Sequence, residues 1–140
     1  MALETEQRQL EADRVLKGVT ALFGDVAKGT YFVAEIRELD LPKIAGQLMI
    51  THEWSDWRNA NFWWIQSVYV AKEYRGKGVF RSLFHHVQTL ARTRKDVCGL
   101  RLYVDSDNHT ARRTYDRIGF KRTHYEMFEI DLEKSKGQLA

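Results

Sequence analysis

The stretch YVAKEYRGKGVFRSLF, Tyr69 to Phe84, runs from a short apolar segment ending at Val70 through a polar turn with Gly76 and Gly78 into an apolar-periodic segment. That succession predicts a strand, a tight loop and a helix. Such a junction suits an anion. The first helical turn has N–H groups without intrahelical partners, and the macrodipole adds roughly half a positive charge there. Gly76 and Gly78 remove side chains that would keep a phosphate off the backbone, while Arg75 and Lys77 add full charge. The expected ligand is a phosphate or pyrophosphate, and the alternative is an ordinary basic turn. Two familiar phosphate loops do not apply: GxxxxGK[ST] is absent, and Arg81 stands where GxGxxG requires its last glycine.

Outward from this stretch, Phe62 to Val70 reads as a strand entering the loop, and Gly78 to Arg94 as a helix whose apolar side is Val79, Leu83, Phe84, Val87, Leu90 and Ala91. Gly99 to Val104 reads as the next strand. The two strands and the helix form a βαβ unit, so the strands are expected parallel with a right-handed crossover. A further helix is expected from His109 to Arg117, capped by Asn108 and closed by Gly119, with a last strand or strand pair over Lys121 to Asp131. Upstream, Leu3 to Leu22 reads as an amphipathic helix. Tyr31 to Ile36 and Ile44 to Thr51 read as meander strands joined by a turn over Arg37 to Lys43, and His52 to Asn61 as an aromatic loop.

The 140 residues fit one domain, 1–140, with an N-terminal helix over 3–22 and a core over 62–120 that carries the candidate phosphate loop. A net charge of +3 suits a polyanionic ligand but lacks the concentrated basic footprint of a nucleic-acid binder. The single cysteine, Cys98, forbids an internal disulfide; it reads as a core residue in a reducing, cytoplasmic setting. No apolar run is long enough to span a membrane. His85 and His86 lack a ligand at i+3 or i+4, so no metal site is expected.

Val70, Tyr74, Arg75, Gly76, Gly78 and Val79 match the motif V-x-P-x-Y-R-G-x-G-[VI]-G, with Lys72 in place of the proline and Phe80 in place of the last glycine. Asn108, Ala111, Tyr115, Gly119 and Phe120 match N-x-x-A-x-x-x-Y-x-x-x-G-[FM]. In that order and spacing, the two blocks resemble the GNAT superfamily of acyl-CoA-dependent N-acetyltransferases over Thr30 to Asp131. The resemblance implies an α/β (α+β) fold: a mixed central sheet with an antiparallel meander, one parallel βαβ unit whose strands splay at a bulge, and helices on both faces. It implies acetyl-CoA as cofactor, with pantetheine in the splay against Val68, Tyr69 and Val70. The diphosphate would lie on Arg75, Gly76, Lys77, Gly78, Val79 and Phe80, with further contacts from Asn108 and Ala111. Tyr115 takes the position of the acid that protonates the leaving sulfur, its alternative role being a ring packed with its hydroxyl in water.

The acceptor side is read from the residues themselves. Glu53 and Asp56 are candidate bases or attractors of a cationic amine, or else solvated surface groups. Trp54, Trp57 and Trp64 offer an aromatic wall for an ammonium, with core packing as the alternative, and Arg58 suits a carboxylate. Trp63 and Trp64 point to opposite faces, so one of them belongs to the core. Gln66 and Ser67 stand where polyamine acetyltransferases of the family carry acids, which argues against a polyamine. The expected reaction is acetyl transfer to the primary amine of a small molecule or amino-acid-like acceptor. A protein lysine or N-terminal acetyltransferase and a non-catalytic acyl-CoA-binding subunit are the alternatives. Family domains open with a strand ahead of this chain's first helix. Either that edge strand is absent or another chain supplies it, which favours a homodimer.

Overall fold

The computed structural model describes residues 10–38 and 41–132. Two compact units divide the chain, residues 1–109 and 110–140. In the first, helix α1 (Ala12–Phe23) leads to strands β1 (Thr30–Glu38), β2 (Leu41–Ser55) and β3 (Ala60–Val70). A 3-10 turn (Lys72–Tyr74), helix α2 (Val79–Thr93) and strand β4 (Val97–Arg101) follow. The part of the expected N-terminal helix before residue 10 lies outside the described residues, and within them the helix starts only at Ala12, after Glu11 in extended backbone.

The sheet runs β1-β2-β3-β4, antiparallel except for the parallel pair β3–β4. It is the mixed α/β architecture expected from the sequence. Alternation sends Leu48, Ile50, Trp63 and Ile65 to one face, all buried, and α2 packs across that face with Val79, Leu83, Phe84, Val87 and Ala91. Each buried Val, Leu, Ile or Phe among them contributes about 1.5–3 kcal/mol. Phe32 reaches the same helix, its ring meeting that of His86 edge to face. The other face carries Gln47, Glu53, Phe62, Trp64, Ser67, Tyr69 and Arg101, paired in register across the strands.

The turn expected over Arg37 to Lys43 is largely strand, with Arg37 paired to Pro42 and Glu38 to Leu41, and four further expectations need correction. The aromatic loop is a hairpin: β2 runs on to Ser55, β3 starts at Ala60, and only residues 56–59 turn. The Trp57 and Arg58 amides donate within that turn to Asp56 and Ser55, and Asn59 takes the left-handed conformation at φ 46°. Strand β4 stops at Arg101 rather than Val104, because its pairing with β3 ends there. Cys98 is exposed, not core. It is the extra residue where the β3–β4 register shifts, turned out of the ladder on an outer strand.

The fourth correction falls in the second unit. Helix α3 (His109–Arg117) forms as expected, but residues 121–131 form no strand, and Tyr125, Met127, Phe128 and Ile130 are exposed. Their apolar content satisfied the sequence pattern, yet a strand also needs a ladder partner, and none of the four paired strands is theirs.

Candidate functional site

The β2–β3 register sets Met49 opposite Ser67 and Ile50 opposite Ile65, so Gln66 is an extra residue bulged from β3. The bulge puts Ser67 and Tyr69 on the same face as Trp64. It also lies just beyond the last β3–β4 pair, Trp64 with Arg101. From Ile65 to Val70, β3 therefore pairs with β2 alone, and a gap opens between the parallel strands. Gln66 reaches across the gap just beyond that last pair, its amide donating to the Tyr103 hydroxyl at 3.3 Å.

The free edge of β3 can be read from one bond. Ala71 donates its N–H to the Ala45 carbonyl at 2.9 Å, so by strand alternation the N–H and C=O groups of Val70 and Val68 face away from β2, into the gap. One of these is already taken: Arg75 Nε donates to the Val70 carbonyl at 2.9 Å. Arg75 thus folds the loop back on the strand end. Sequence reading had assigned Arg75 to the phosphate alone.

The loop itself is anchored by Tyr74, which is buried, while Arg75, Gly76, Lys77 and Gly78 are exposed. Gly76 and Gly78 have φ of 74° and 82°, conformations in which a Cβ clashes with the peptide oxygen. A Cβ at either would meet no other atom within 4 Å, so the space over the loop is open. Gly78 is the N-cap of α2 and provides no side-chain cap bond. The ring of Phe80, the residue in place of the motif's last glycine, lies against Phe84, with centroids 6.2 Å apart. The uncapped helix start, two left-handed glycines and unobstructed backbone fit a diphosphate, and the one-sided β3 edge fits the amide-bearing pantetheine arm.

The hairpin does not gather its tryptophans. Trp54 lies on the α2 side of the sheet with Trp63, whereas Trp64 lies on the other side, its ring 6.1 Å from that of Tyr103. Trp57 stands at the turn, 89% exposed. Trp63 is the buried one. Of the expected acceptor residues, Glu53, Arg58 and Trp64 share a region, while Trp54 and Trp57 are outside it. Arg101 was missed by the sequence reading: it bonds Glu53 and stacks on Phe62, 3.6 Å from the ring centroid. Only the parallel register, which no local motif encodes, brings these residues together.

In the second unit, Tyr115 lies four residues beyond Ala111 on α3. Burial pushes its phenol above the ordinary value of 10.0. Asn108 directly precedes the helix. Among the described residues, no group of His, Cys, Asp and Glu is arranged to hold a metal, and no helix is long and apolar enough to cross a membrane.

A fold with one parallel strand pair opening onto a glycine loop and helix start is that of acyl-CoA-dependent acetyltransferases. The model of the acetyltransferase (GNAT) family matches residues 2–120, and the chain belongs to that family, whose cofactor is acetyl-CoA. Among solved structures, it is 45% identical to a possible acetyltransferase from Clostridium difficile 630, covering 93% of this chain and 83% of that one with a TM-score of 0.83. A likeness in fold extends to a ribosomal-protein-alanine N-acetyltransferase from Brucella melitensis biovar Abortus 2308: 18% identity, TM-score 0.69, covering 91% and 86% of the two chains. It extends also to AAC(6')-Iy in complex with the bisubstrate analogue CoA-S-monomethyl-acetylneamine: 15% identity, TM-score 0.69, 86% and 80% covered. No curated protein matches.

Proposed function

We propose that this chain is an N-acetyltransferase that carries an acetyl group from acetyl-CoA to the primary amine of a small, amino-acid-like acceptor. The observation that carries the reading is the start of α2: an uncapped N-terminus behind Gly76 and Gly78, with open space above it and the free edge of β3 leading to it. In this reading the N–H groups from Gly76 to Phe80 hold the diphosphate, with Arg75 and Lys77 adding charge. The gap-facing groups of Val68 and the N–H of Val70 hold the pantetheine amides.

When bound, acetyl-CoA supplies a thioester carbonyl open to an amine. The residues then have two protons to manage. An alkylammonium of pKa near 10.4 must lose one before its nitrogen is nucleophilic. Glu53 is assigned this role, since Oε1 is held by Arg101 and Oε2 is left to accept. Asp56 is the weaker choice because it stands in the hairpin turn beyond the end of β2, whereas Glu53 is on the sheet opposite Phe62. The second proton goes from the Tyr115 hydroxyl to the departing sulfur, and the raised pKa of that phenol keeps it protonated at neutral pH.

Calorimetric titration with CoA, followed by a thiol-release screen of amines with acetyl-CoA, tests the reading. Binding with transfer to small amines supports it. Binding without transfer to any amine would replace it with the acyl-CoA-binding subunit, and transfer to peptides alone with the protein acetyltransferase.

A further inference from the structure

Glu53, Arg58 and Phe62 of the β2–β3 hairpin meet Arg101 of the distant strand β4 on the sheet face away from α2. Glu53 of β2 is opposite Phe62 of β3, which is opposite Gly99 of β4. Gly99 has no side chain for a reason: a Cβ there would lie 2.8 Å from Phe62 Cε1. The ring thus lies down over β4, and the Arg101 guanidinium stacks on it at 3.6 Å while Arg101 Nη1 donates to Glu53 Oε1. Arg58, from the hairpin turn, brings a second guanidinium to 5.1 Å from the same ring centroid.

Resting on the N-acetyltransferase reading, we propose that Arg101 and Arg58 receive a carboxylate of the acceptor, so that the substrate is an amine that also carries a carboxylate. Charge is the first argument. Two guanidinium groups converge on one ring, and Glu53 answers one of them. Among the described residues Arg58 has no ion pair, and Arg101 bonds through Nη1 alone. Like charges brought together favour a second anion.

Geometry is the second argument. With its guanidinium 3.6 Å over the Phe62 ring and one N–H committed to Glu53, Arg101 is restricted in movement and keeps further donors of its planar fork for a carboxylate. Arg101 is held there from two sides, with its side chain 35% exposed, so it is preorganised yet reachable. Position is the third. Arg101 is opposite Trp64, where the β3–β4 ladder closes, and the phosphate loop lies at the other end of the gap. An anion site at the closed end therefore belongs with the acceptor rather than the cofactor diphosphate.

The test uses the full chain with acetyl-CoA and matched acceptors, free amino acids against their methyl esters, reading kcat/KM by thiol release. The wild type should favour the acid over its ester by about tenfold or more, the range of a charge-assisted contact. Arg58→Gln and Arg101→Gln should each bring that ratio toward one, and Arg101→Lys should recover only part, having charge without the planar fork. A merely structural role would alter both acceptors alike and leave the ratio in place. The proposal is overturned if the wild type uses ester and acid equally, or if the ratio survives both substitutions. Should Arg101→Gln fail to fold, Arg58→Gln, at an exposed turn, decides the matter. Transfer to no amine at all would remove the transferase reading and this one with it, a different result from transfer without carboxylate preference.

Discussion

The rings of Tyr115 and Phe120 meet edge to face, with centroids 6.0 Å apart and planes at 71°. The contact belongs to the end of helix α3. The Phe120 N–H donates to the Tyr115 carbonyl at 3.0 Å and the Gly119 N–H to the Asp116 carbonyl at 3.2 Å, the paired bonds of a Schellman closure. Gly119 makes this possible at φ 97°. One backbone turn thereby fixes the ring of the residue assigned as the acid. Gly119→Ala should lower stability by about 1–2 kcal/mol, the cost of a left-handed non-glycine residue, measured by equilibrium urea unfolding. Gly119→Asn should lose less, since asparagine tolerates that conformation.

Tyr115→Phe keeps the ring contact and removes only the hydroxyl. If Tyr115 protonates the leaving sulfur, kcat should fall by about a hundredfold or more, within the usual range for general acid catalysis, with CoA affinity little changed. The pH dependence has a definite sign. Burial disfavours the phenolate, so the folded pKa lies above the ordinary 10.0. The neutral phenol's contribution to stability is complete below pH 10 and is lost as pH rises through the folded value. Activity dependent on Tyr115 should therefore fall at a more alkaline pH than an ordinary phenol would give. Absorbance titration of wild type against Tyr115→Phe checks this, and a Tyr115 titration below 10 would sink the assignment.

Gly76→Ala and Gly78→Ala separate backbone strain from ligand contact. A Cβ at either position meets nothing within 4 Å, so each substitution costs only its φ, about 1–2 kcal/mol of stability. Loss of CoA affinity should exceed what strain alone produces, because the new methyl group occupies the open space above the helix start. Calorimetry on the folded variants should show CoA binding weakened by about tenfold or more. Unchanged affinity in both would place the diphosphate elsewhere.

The central fold was legible because its signals are local. The periodicity of Val79, Leu83, Phe84 and Val87 encodes the face of α2, and the glycines at 76, 78 and 119 encode left-handed backbone. What was missed depends on pairing between distant strands. The hairpin at 56–59 hid behind polar residues that nonetheless fit a ladder, and Cys98 looked like core until the register made it a bulge. Arg101 has no motif of its own; its meeting with Glu53 follows from Phe62 lying over Gly99. Residues 121–131 show the converse, an apolar pattern without a partner strand.

Gly29 tests how α1 joins the sheet. Its φ is 148°, and a Cβ there would lie 2.1 Å from the Ile50 carbonyl oxygen and 3.4 Å from Leu22 Cδ1. Backbone of β2 cannot yield to it as a side-chain tip could, and Ile50 is among the most deeply buried residues of the sheet. Gly29→Ala should therefore destabilise by about 3 kcal/mol or more, combining strain with overpacking. Gly24→Ala is the matched control. Gly24 closes α1 at φ −83°, and its added Cβ would make ordinary contacts of 3.7 and 3.8 Å, so its effect should stay within about 0.5 kcal/mol. Equilibrium urea unfolding of both variants gives the comparison, and equal stabilities would mean that the chain at Gly29 does not lie against β2.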